Sequence, residues 1–318
     1  MKLVFGAASL SSKRFAELHK EAAKYFDEIV LNPYGRKLEE EELMSMWDNA
    51  DAIIIGNEKY SAEVLAKAPK TLKVLAKNGV GYDNVDLKAA RELGIDVCTT
   101  PGANADSVAD CALALLLCVQ RNMVRHDNII REGGWKRFGG HELTGYTIGV
   151  LGMGAIGKGV IKRATAFGMK AMAYDPYFDE KFAEEYGVQR ATTEEVLAQA
   201  DVVSLHLPST PETRHIINEE TLATMKPNAV LINTARGELV DEMALYNALK
   251  DGVIAGAGLD VFESEPVGSS PLINLDNVVV TPHIAGNTTE SGNRIGRMAL
   301  QNIVDILSGR PCRSIVNK

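Results

Sequence analysis

The chain has little positive charge, few aromatic residues and no long hydrophobic run. Its 42 acidic residues outnumber 34 lysines and arginines, giving a formal net charge of −8 at pH 7, and aromatic residues make up 6%. Nucleic acids are bound chiefly by clustered Lys and Arg, so this balance argues against a nucleic-acid partner. The longest apolar run, Val108 to Val119, contains Asp110. It is shorter than the roughly 20 residues of a membrane span, so no membrane partner is expected.

Cysteine is also scarce. Cys98, Cys111, Cys118 and Cys312 form no C-x-x-C pair and no ligand-like spacing, so we expect neither a metal site nor a disulfide framework. Cys111 and Cys118 lie seven residues apart in a helical pattern and are expected to pack in a core. The N-terminal apolar stretch is too short for a secretory signal. These features together predict a cytoplasmic protein.

Length and composition indicate two folded domains. A domain averages roughly 150 residues, and this chain has 318, so we expect two domains with a cleft between them. The hydrophobic content of 46% and mean hydropathy of −0.06 are those of an ordinary globular protein. No Pro/Gly/Ser-rich linker, low-complexity run or internal repeat interrupts the sequence.

Short apolar runs alternate with helical patterns from the first residue. Apolar runs without polar alternation are typical of strands buried in a parallel sheet between two layers of helices. The rhythm pauses at a long helix predicted from Asn104 to about Met123 and restarts at Thr147 with about six further strands, the number in a doubly wound dinucleotide fold. The first segment's predicted strands and helices are Leu3–Phe5, Phe15–Tyr25, Ala52–Ile55, Ala62–Ala68, Lys73–Ala76 and Leu87–Leu93.

The predicted fold class is α/β, with two Rossmann-like doubly wound parallel-sheet domains. A final helical pattern, Thr288 to Leu307, follows the last strand and can return to the first domain. We therefore expect a discontinuous substrate domain, residues 1–100 plus 288–318, and a dinucleotide-binding domain, residues 101–287.

A glycine-rich turn predicts the dinucleotide site. Residues 152–157 spell G-x-G-x-x-G between the strand TIGVL and a helix. The three glycines permit a tight turn, close approach of a pyrophosphate, and close packing of the helix whose N-terminus faces the phosphates. The next strand ends at Asp175, where a carboxylate can accept hydrogen bonds from ribose hydroxyls and repel a 2′-phosphate, which favours NAD over NADP.

Three later segments each place a polar residue beside the end of an apolar strand. Arg236 follows VLINTA, Glu265 lies in GLDVFESEP near Asp260, and His283 follows VVVTP. An imidazolium can supply a proton, a carboxylate can orient it, and a guanidinium can grip a substrate carboxylate. We refer to Arg236, Glu265 and His283 as the triad and predict that it reduces a 2-keto acid.

The order of several motifs resembles the D-2-hydroxyacid dehydrogenases, a family that includes phosphoglycerate dehydrogenase and hydroxypyruvate and glyoxylate reductases. The likeness covers nearly the whole chain through NGVGYDNVD, TPGANADSVAD, GMGAIG, SLHLPSTPET, LINTARGELVD, GAGLDVFESEP and TPHIAG. It implies that Arg236 orients the substrate, that His283 is the acid/base and that Glu265 pairs with it. Backbone amides around Gly79 and Val80, together with Lys77, are implied to bind substrate.

The resemblance also implies a set of residues that contact the cofactor along its whole length. Thr234, Ala235 and Asp260 are assigned to the nicotinamide end, and His206 to Pro208 to the adenosine side. The full implied set is Gly152, Gly154, Ala155, Ile156, Gly157, Asp175, His206, Pro208, Thr234, Ala235, Arg236, Asp260, His283 and Gly286.

The resemblance further implies a homodimer formed through Asn104 to Trp135, with Trp135, Lys136 and Arg137 as candidate contacts to a partner's substrate. Two positions depart from the family pattern, since Ala155 and Tyr146 stand where many members carry a basic residue. Helix amides remain to bind phosphate at the first of them. The chain ends at Lys318, so a C-terminal regulatory domain of the kind found in some phosphoglycerate dehydrogenases is not expected.

Alternatives remain at this point. The transcriptional corepressors of the same fold sense NAD and retain a similar triad, and phosphite dehydrogenases share the framework, so the triad excludes neither class. Formate dehydrogenases place glutamine at the position of Glu265, which argues against them. The expected substrate is hydroxypyruvate, glyoxylate or 3-phosphohydroxypyruvate, and Lys77, Arg36 and Lys37 would favour a phosphorylated tail.

Overall fold

A computed structural model describes all 318 residues, which form two compact units. The first comprises residues 1–104 and 287–318, and the second comprises residues 105–286. The first boundary falls at residue 104 rather than the predicted 100, because Ala103 packs in the core of the first unit. Its carbonyl oxygen accepts a 2.8 Å hydrogen bond from Arg294 Nε of the same unit. Asn287 also belongs to the first unit.

The first unit is built on a five-stranded parallel sheet with the order β2-β1-β3-β4-β5. Both faces of its central strands are buried, as helical layers on either side require. The strands are β1 (Lys2–Phe5), β2 (Glu28–Leu31), β3 (Ala52–Ile55), β4 (Val74–Lys77) and β5 (Asp96–Cys98). The helices before the second unit are α1 (Ala8–Ser11), α2 (Ala16–Ala22), α3 (Glu40–Met46), α4 (Ala62–Leu65) and α5 (Leu87–Glu92), with a 3₁₀ turn at Lys13–Phe15.

A helix that follows the second unit in sequence completes the first unit. Thr288 Oγ1 accepts a 3.0 Å hydrogen bond from the amide of Ser291 and so caps this helix, α13 (Thr289–Leu307). Ile295, Ala299 and Ile303 recur every fourth residue and are buried in the core of the first unit. The predicted return of this helix therefore reflects one continuous apolar face.

The segment after α13 covers the open edge of β5. Thr99 donates to the carbonyl oxygen of Ser314 (3.1 Å), and Val316 donates to that of Val97 (2.9 Å). The buried amide of Asn317 accepts from the Val97 amide at 2.8 Å and donates to the Ile95 carbonyl at 2.9 Å. The edge strand is thus paired along most of its length.

The second unit is a seven-stranded parallel sheet with the order β12-β11-β10-β9-β6-β7-β8, the doubly wound order with one added strand. The predicted fold class is confirmed. The strand that composition did not predict is β8, whose burial pattern shows one buried and two exposed residues. The strands are β6 (Thr147–Leu151), β7 (Lys170–Tyr174), β8 (Val188–Arg190), β9 (Val202–Leu205), β10 (Val230–Asn233), β11 (Gly256–Leu259) and β12 (Val278–Val280).

Seven helices belong to the second unit, and the longest packs on strands β10, β11 and β12. Buried Leu113, Leu115 and Leu116 of this helix, α6, pack with Ile148 and Val150 of β6. No single helix combines the length and hydropathy needed to cross a bilayer, although the bent pair α6 and α7 passes by length and composition alone. The helices are α6 (Ala105–Gln120), α7 (Met123–Arg131), α8 (Ala155–Ala166), α9 (Glu180–Tyr186), α10 (Thr193–Gln199), α11 (Glu219–Thr224) and α12 (Glu242–Lys250).

Candidate active site

The G-x-G-x-x-G turn joins β6 to α8, as the sequence predicts. Gly152 has a φ of +98°, and a Cβ there would lie 2.7 Å from the carbonyl oxygen of His206. A Cβ on Gly157 would lie 2.1 Å from the carbonyl oxygen of Gly152, which no side chain tolerates. A Cβ on Gly154 would meet no atom within 4 Å. Two glycines therefore shape the turn itself, whereas Gly154 keeps space open in front of it.

The first turn of α8 supplies unpaired amides at the same place. The first N–H groups of a helix have no intrahelical acceptor, and they carry the positive end of the helix dipole. Gly154 is the N-cap, and Ala155 and Ile156 are the first two helical residues. These backbone groups can bind a pyrophosphate without the basic side chain that many relatives carry at the position of Ala155.

Asp175 lies at the end of β7 and is bonded to the turn. Its Oδ2 accepts the amide of Met153 at 2.7 Å, and its Oδ1 accepts the amide of Tyr177 at 2.7 Å. Each carboxylate oxygen has two lone pairs, so acceptor capacity remains for ribose hydroxyls. Asp175 therefore fixes the turn and can also bind a ligand.

A pocket of about 310 Å³ opens beside Asp175. Arg190, which the sequence analysis did not single out, is part of its lining, and its Nη1 pairs with Glu180 Oε1 at 2.9 Å. No sequence signal marked this residue, because β8 itself was not recognised. The lining residues are Tyr174, Asp175, Pro176, Arg190, Ala191, Thr192 and Glu195.

His206 lies directly behind the glycine turn and is neutral. Burial lowers the pKa of its imidazole to about 3. Its Nε2 is 2.8 Å from Ser204 Oγ, and its buried Nδ1 has no hydrogen-bond partner. Ser204 was missed in the sequence, although residues two apart on a strand share a face. Pro208, two residues further on, is exposed, and its carbonyl oxygen accepts a 2.7 Å hydrogen bond from Thr213 Oγ1.

Arg236 extends from a turn after β10 that a buried amide side chain holds in place. Asn233, 1% exposed, accepts the amide of Ala235 at 3.0 Å and donates to the carbonyl oxygen of Arg236 at 2.8 Å. The hydroxyl of Thr234 is buried and has no partner within the protein. Asn233 was missed because an asparagine at the end of an apolar strand carries no distinctive pattern.

Glu265 and His283 form the imidazole–carboxylate pair that the sequence predicted. Glu265 Oε2 is 2.7 Å from His283 Nδ1, and Glu265 Oε1 accepts the amide of Phe262 at 3.2 Å. Burial alone would raise the pKa of Glu265, but its hydrogen bond to His283 and the nearby charges of His283 and Arg236 hold that pKa below its usual value. The carboxylate therefore stays ionised, and the pair persists as the pH falls into the mildly acidic range.

Asp260 anchors the loop that carries His283. It is fully buried, and its Oδ1 accepts from Thr281 Oγ1 at 2.6 Å and from the amide of Ile284 at 2.8 Å. Its Oδ2 accepts the amide of Ala285 at 2.8 Å. Gly286 follows this loop and is partly buried. A contact of Asp260 or Gly286 with the nicotinamide end stays a prediction, whereas the anchoring contacts are direct.

The three triad residues line one pocket of about 220 Å³, which we call the triad pocket. Because His283 Nδ1 is held by Glu265, its Nε2 is the ring atom available to a substrate. The lining consists of Arg236, Gly237, Glu238, Val261, Phe262, Glu263, Glu265 and His283. A cation for a carboxylate, an acid/base and its carboxylate partner are thus brought together.

The first unit contains three residues that were predicted to bind substrate, and they differ in their exposure to solvent. Lys77 is 4% exposed, and its Nζ donates to Gly56 O (2.5 Å), Asn57 Oδ1 (2.9 Å) and Asn84 Oδ1 (3.2 Å). These three acceptors match the three N–H groups of the Lys77 ammonium. A contact of Lys77 with substrate therefore stays a prediction. The amide of Gly79 donates to the carbonyl oxygen of Lys77, whereas Val80 is 41% exposed.

These residues fit a nicotinamide dinucleotide. Two buried polar atoms without protein partners, His206 Nδ1 and Thr234 Oγ1, lie after adjacent strands β9 and β10. Buried polar atoms normally have hydrogen-bond partners, so two such atoms without protein partners at the carboxyl ends of adjacent strands indicate contact with a ligand or solvent. Together with the open space at Gly154, the ribose acceptor Asp175 and the α8 amides, they define a dinucleotide-binding domain.

Comparison with known proteins identifies the family. Residues 113–285 match the family described as "D-isomer specific 2-hydroxyacid dehydrogenase, NAD binding domain". The chain belongs to the D-2-hydroxyacid dehydrogenase family, so the resemblance stated from the motifs is confirmed, as is a nicotinamide dinucleotide cofactor.

Relatives agree over most of the chain. D-3-phosphoglycerate dehydrogenase of Methanocaldococcus jannaschii is 43% identical over 304 residues, covering 94% of this chain and 58% of the relative. Glyoxylate reductase of Korarchaeum cryptofilum is 44% identical over 278 residues, covering 85% of this chain and 83% of the relative. The crystal structure of the TT0316 protein from Thermus thermophilus superposes with a TM-score of 0.86 at 40% identity, covering 99% and 100%. The chain thus spans little more than half of the phosphoglycerate dehydrogenase.

Substitutions of Gly154 and Gly157 should have separable effects on stability and on NADH binding. Gly154→Ala should lower the melting temperature by only a few degrees, since its Cβ meets nothing and only the N-cap preference for glycine is lost, but it should weaken NADH binding by about tenfold or more by filling the phosphate space. Gly157→Ala should lower both the melting temperature and the affinity for NADH, because its Cβ would collide with the backbone. Thermal unfolding and NADH fluorescence titration measure the two effects. Full NADH affinity in Gly154→Ala would contradict the assignment of this turn.

Proposed function

We propose that this protein is an NAD-dependent oxidoreductase that interconverts a small 2-keto acid and the corresponding D-2-hydroxy acid. The observation that carries the proposal is the 2.7 Å contact between His283 Nδ1 and Glu265 Oε2, with Arg236 lining the same pocket. Glyoxylate, hydroxypyruvate and 3-phosphohydroxypyruvate are the candidate substrates.

Each triad residue has one task in this reaction. A nicotinamide cofactor held at the glycine turn and Asp175 would supply the hydride for the carbonyl carbon. Arg236 presents a planar fork that holds the substrate carboxylate and polarises the adjacent carbonyl. His283 donates the Nε2 proton to the carbonyl oxygen during reduction and takes it back during oxidation. Glu265 fixes the orientation of the ring through Nδ1, which leaves Nε2 facing the substrate.

Preference for NADH over NADPH is part of the proposal. Asp175 presents a carboxylate at the end of β7, where a 2′-phosphate would be repelled. Its two backbone hydrogen bonds keep it in this position. A cytoplasmic location is also proposed, supported by four cysteines that are all free thiols.

A homodimer is proposed from the exposed surface of α7 and the loop after it. Met123, Val124, Ile130 and Trp135 are 54%, 45%, 54% and 79% exposed, although large apolar side chains usually avoid water. Such a cluster at one end of a long buried helix is suited to self-association, because the same face is presented by a second copy.

Turnover of a keto-acid panel tests the reaction. NADH should be oxidised with at least one of glyoxylate, hydroxypyruvate and 3-phosphohydroxypyruvate, faster than NADPH. His283→Ala should lower kcat by about 100-fold or more, since proton transfer contributes roughly 10²- to 10⁴-fold. NADH binding without oxidation by any keto acid would favour a binding protein, and oxidation of phosphite alone would favour a phosphite dehydrogenase. Full activity of His283→Ala would exclude this acid/base.

The Glu265 carboxylate predicts a pH effect. Glu265→Gln keeps the side-chain size but removes the ionisable carboxyl whose protonation would weaken the pair with His283, so the acidic limit of keto-acid reduction should change. In the wild type, the lowered pKa of Glu265 should preserve the reduction rate into mildly acidic solution. Profiles of kcat/KM against pH measure both effects. An identical profile for Glu265→Gln would contradict the pairing.

Charged substitutions on α7 test the dimer. Met123→Glu combined with Ile130→Glu should yield a monomer of about 34.4 kDa in analytical ultracentrifugation, whereas the wild type should sediment at twice that mass. Val253→Glu, at an apolar residue 38% exposed elsewhere in the second unit, is the matched control and should stay dimeric. A monomeric wild type would refute the proposal.

A further inference from the structure

A second imidazole–carboxylate pair lies next to the triad and has no task in the proposed reaction. His215 Nε2 is hydrogen-bonded to Glu263 Oε1, and the two side chains are about one third exposed, at 32% and 33%. Arg214 Nη2 lies 4.0 Å from the same carboxylate oxygen. Glu263 itself lines the triad pocket.

The backbone of His215 is tied to the turn that carries Arg236. Its amide donates to the carbonyl oxygen of Glu238 at 2.8 Å, and its own carbonyl accepts from Asn218 Nδ2 at 2.9 Å. His215 has a φ of +49°, a left-handed conformation that is uncommon outside glycine. A strained residue of this kind persists where several contacts determine its position.

The turn of Arg236 and the loop of Glu265 lie in direct backbone contact. A Cβ on Gly237 would be 1.9 Å from the carbonyl carbon of Phe262, so the two segments approach as closely as glycine permits. The amide of Glu263 donates to Glu242 Oε1 at 2.7 Å, which fixes the loop to α12. His215 therefore contacts one segment through its backbone and the other through its ring.

We propose that His215 and Glu263 are positioning residues that fix the distance between Arg236 and the Glu265–His283 pair. The inference rests on the proposed function, because that function gives the distance its importance. A substrate must meet the guanidinium and the imidazole at once, and an error of about 1 Å in such an arrangement can cost on the order of 100-fold in rate. Without the bridge, the two segments can shift while the surrounding sheet stays intact.

His215→Asn is the main test variant. Asparagine tolerates the left-handed backbone, so the fold is preserved, but its shorter side chain does not reach Glu263. We expect kcat on the best keto acid to fall about 10- to 100-fold. We expect the NADH dissociation constant and the melting temperature to stay unchanged, because neither the glycine turn nor the core is altered.

Substitutions of Glu263 separate positioning from general stability. Glu263→Gln keeps an oxygen acceptor for the ring and should retain most of the turnover, whereas Glu263→Ala should match His215→Asn. The double variant His215→Asn/Glu263→Ala should be no slower than either single variant, since both remove the same contact. His141→Gln, at an exposed imidazole elsewhere in the second unit, is the control and should match the wild type.

Hydrogen exchange gives a readout that does not depend on turnover. In His215→Asn, amides of residues 236–240 and 261–265 should lose protection, while those of β6 and β9 should keep it. Unchanged protection, or a kcat within twofold of wild type in both His215→Asn and Glu263→Ala, would overturn the inference. A wild type without any keto-acid turnover would instead refute the proposed function, and the exchange result would still decide whether the bridge holds the segments.

Discussion

A fully buried carboxylate holds the reacting loop together. Burying an unpaired charge costs several kcal/mol, and Asp260 meets that cost with hydrogen bonds from Thr281, Ile284 and Ala285. All three donors lie within the loop that contains His283. The backbone of His283 can therefore stay in the left-handed region, at a φ of +53°, while its imidazole faces Glu265. The geometry of the acid/base therefore depends on this anchor as well as on the direct contact with Glu265.

Neutral groups and backbone amides surround the glycine turn, where we propose that the cofactor binds. His206 stays uncharged because it is buried, and the α8 N-terminus supplies partial positive charge without a basic side chain at Ala155. The negative net charge of the chain is therefore compatible with binding a pyrophosphate.

The sequence predicted those parts of the site that depend on local rules. A glycine turn between a strand and a helix has a fixed spacing, and Arg236, Glu265 and His283 each follow an apolar strand that is recognisable by composition. Residues that act through tertiary contacts were not predictable. Asn233 and Ser204 support functional neighbours through hydrogen bonds that no sequence pattern encodes.

Burial explains the remaining differences between the predicted and the observed structure. Strand β8 leaves no apolar run because only one of its three residues is buried, and the Lys77 ammonium, which resembled a cation available to a phosphorylated substrate, lies among three protein oxygens.

The placement of α13 has a consequence for biosynthesis. The second unit is one continuous stretch, residues 105–286, and can close its core as soon as that stretch has left the ribosome. The first unit cannot, because Ile295, Ala299 and Ile303 arrive only after the entire second unit has been translated. During that interval, the apolar face that α13 completes is covered only in part, by α1 and α2. The order of synthesis therefore reverses the order of completion, and residues 1–104 keep an incomplete core until the last helix of the chain has been made.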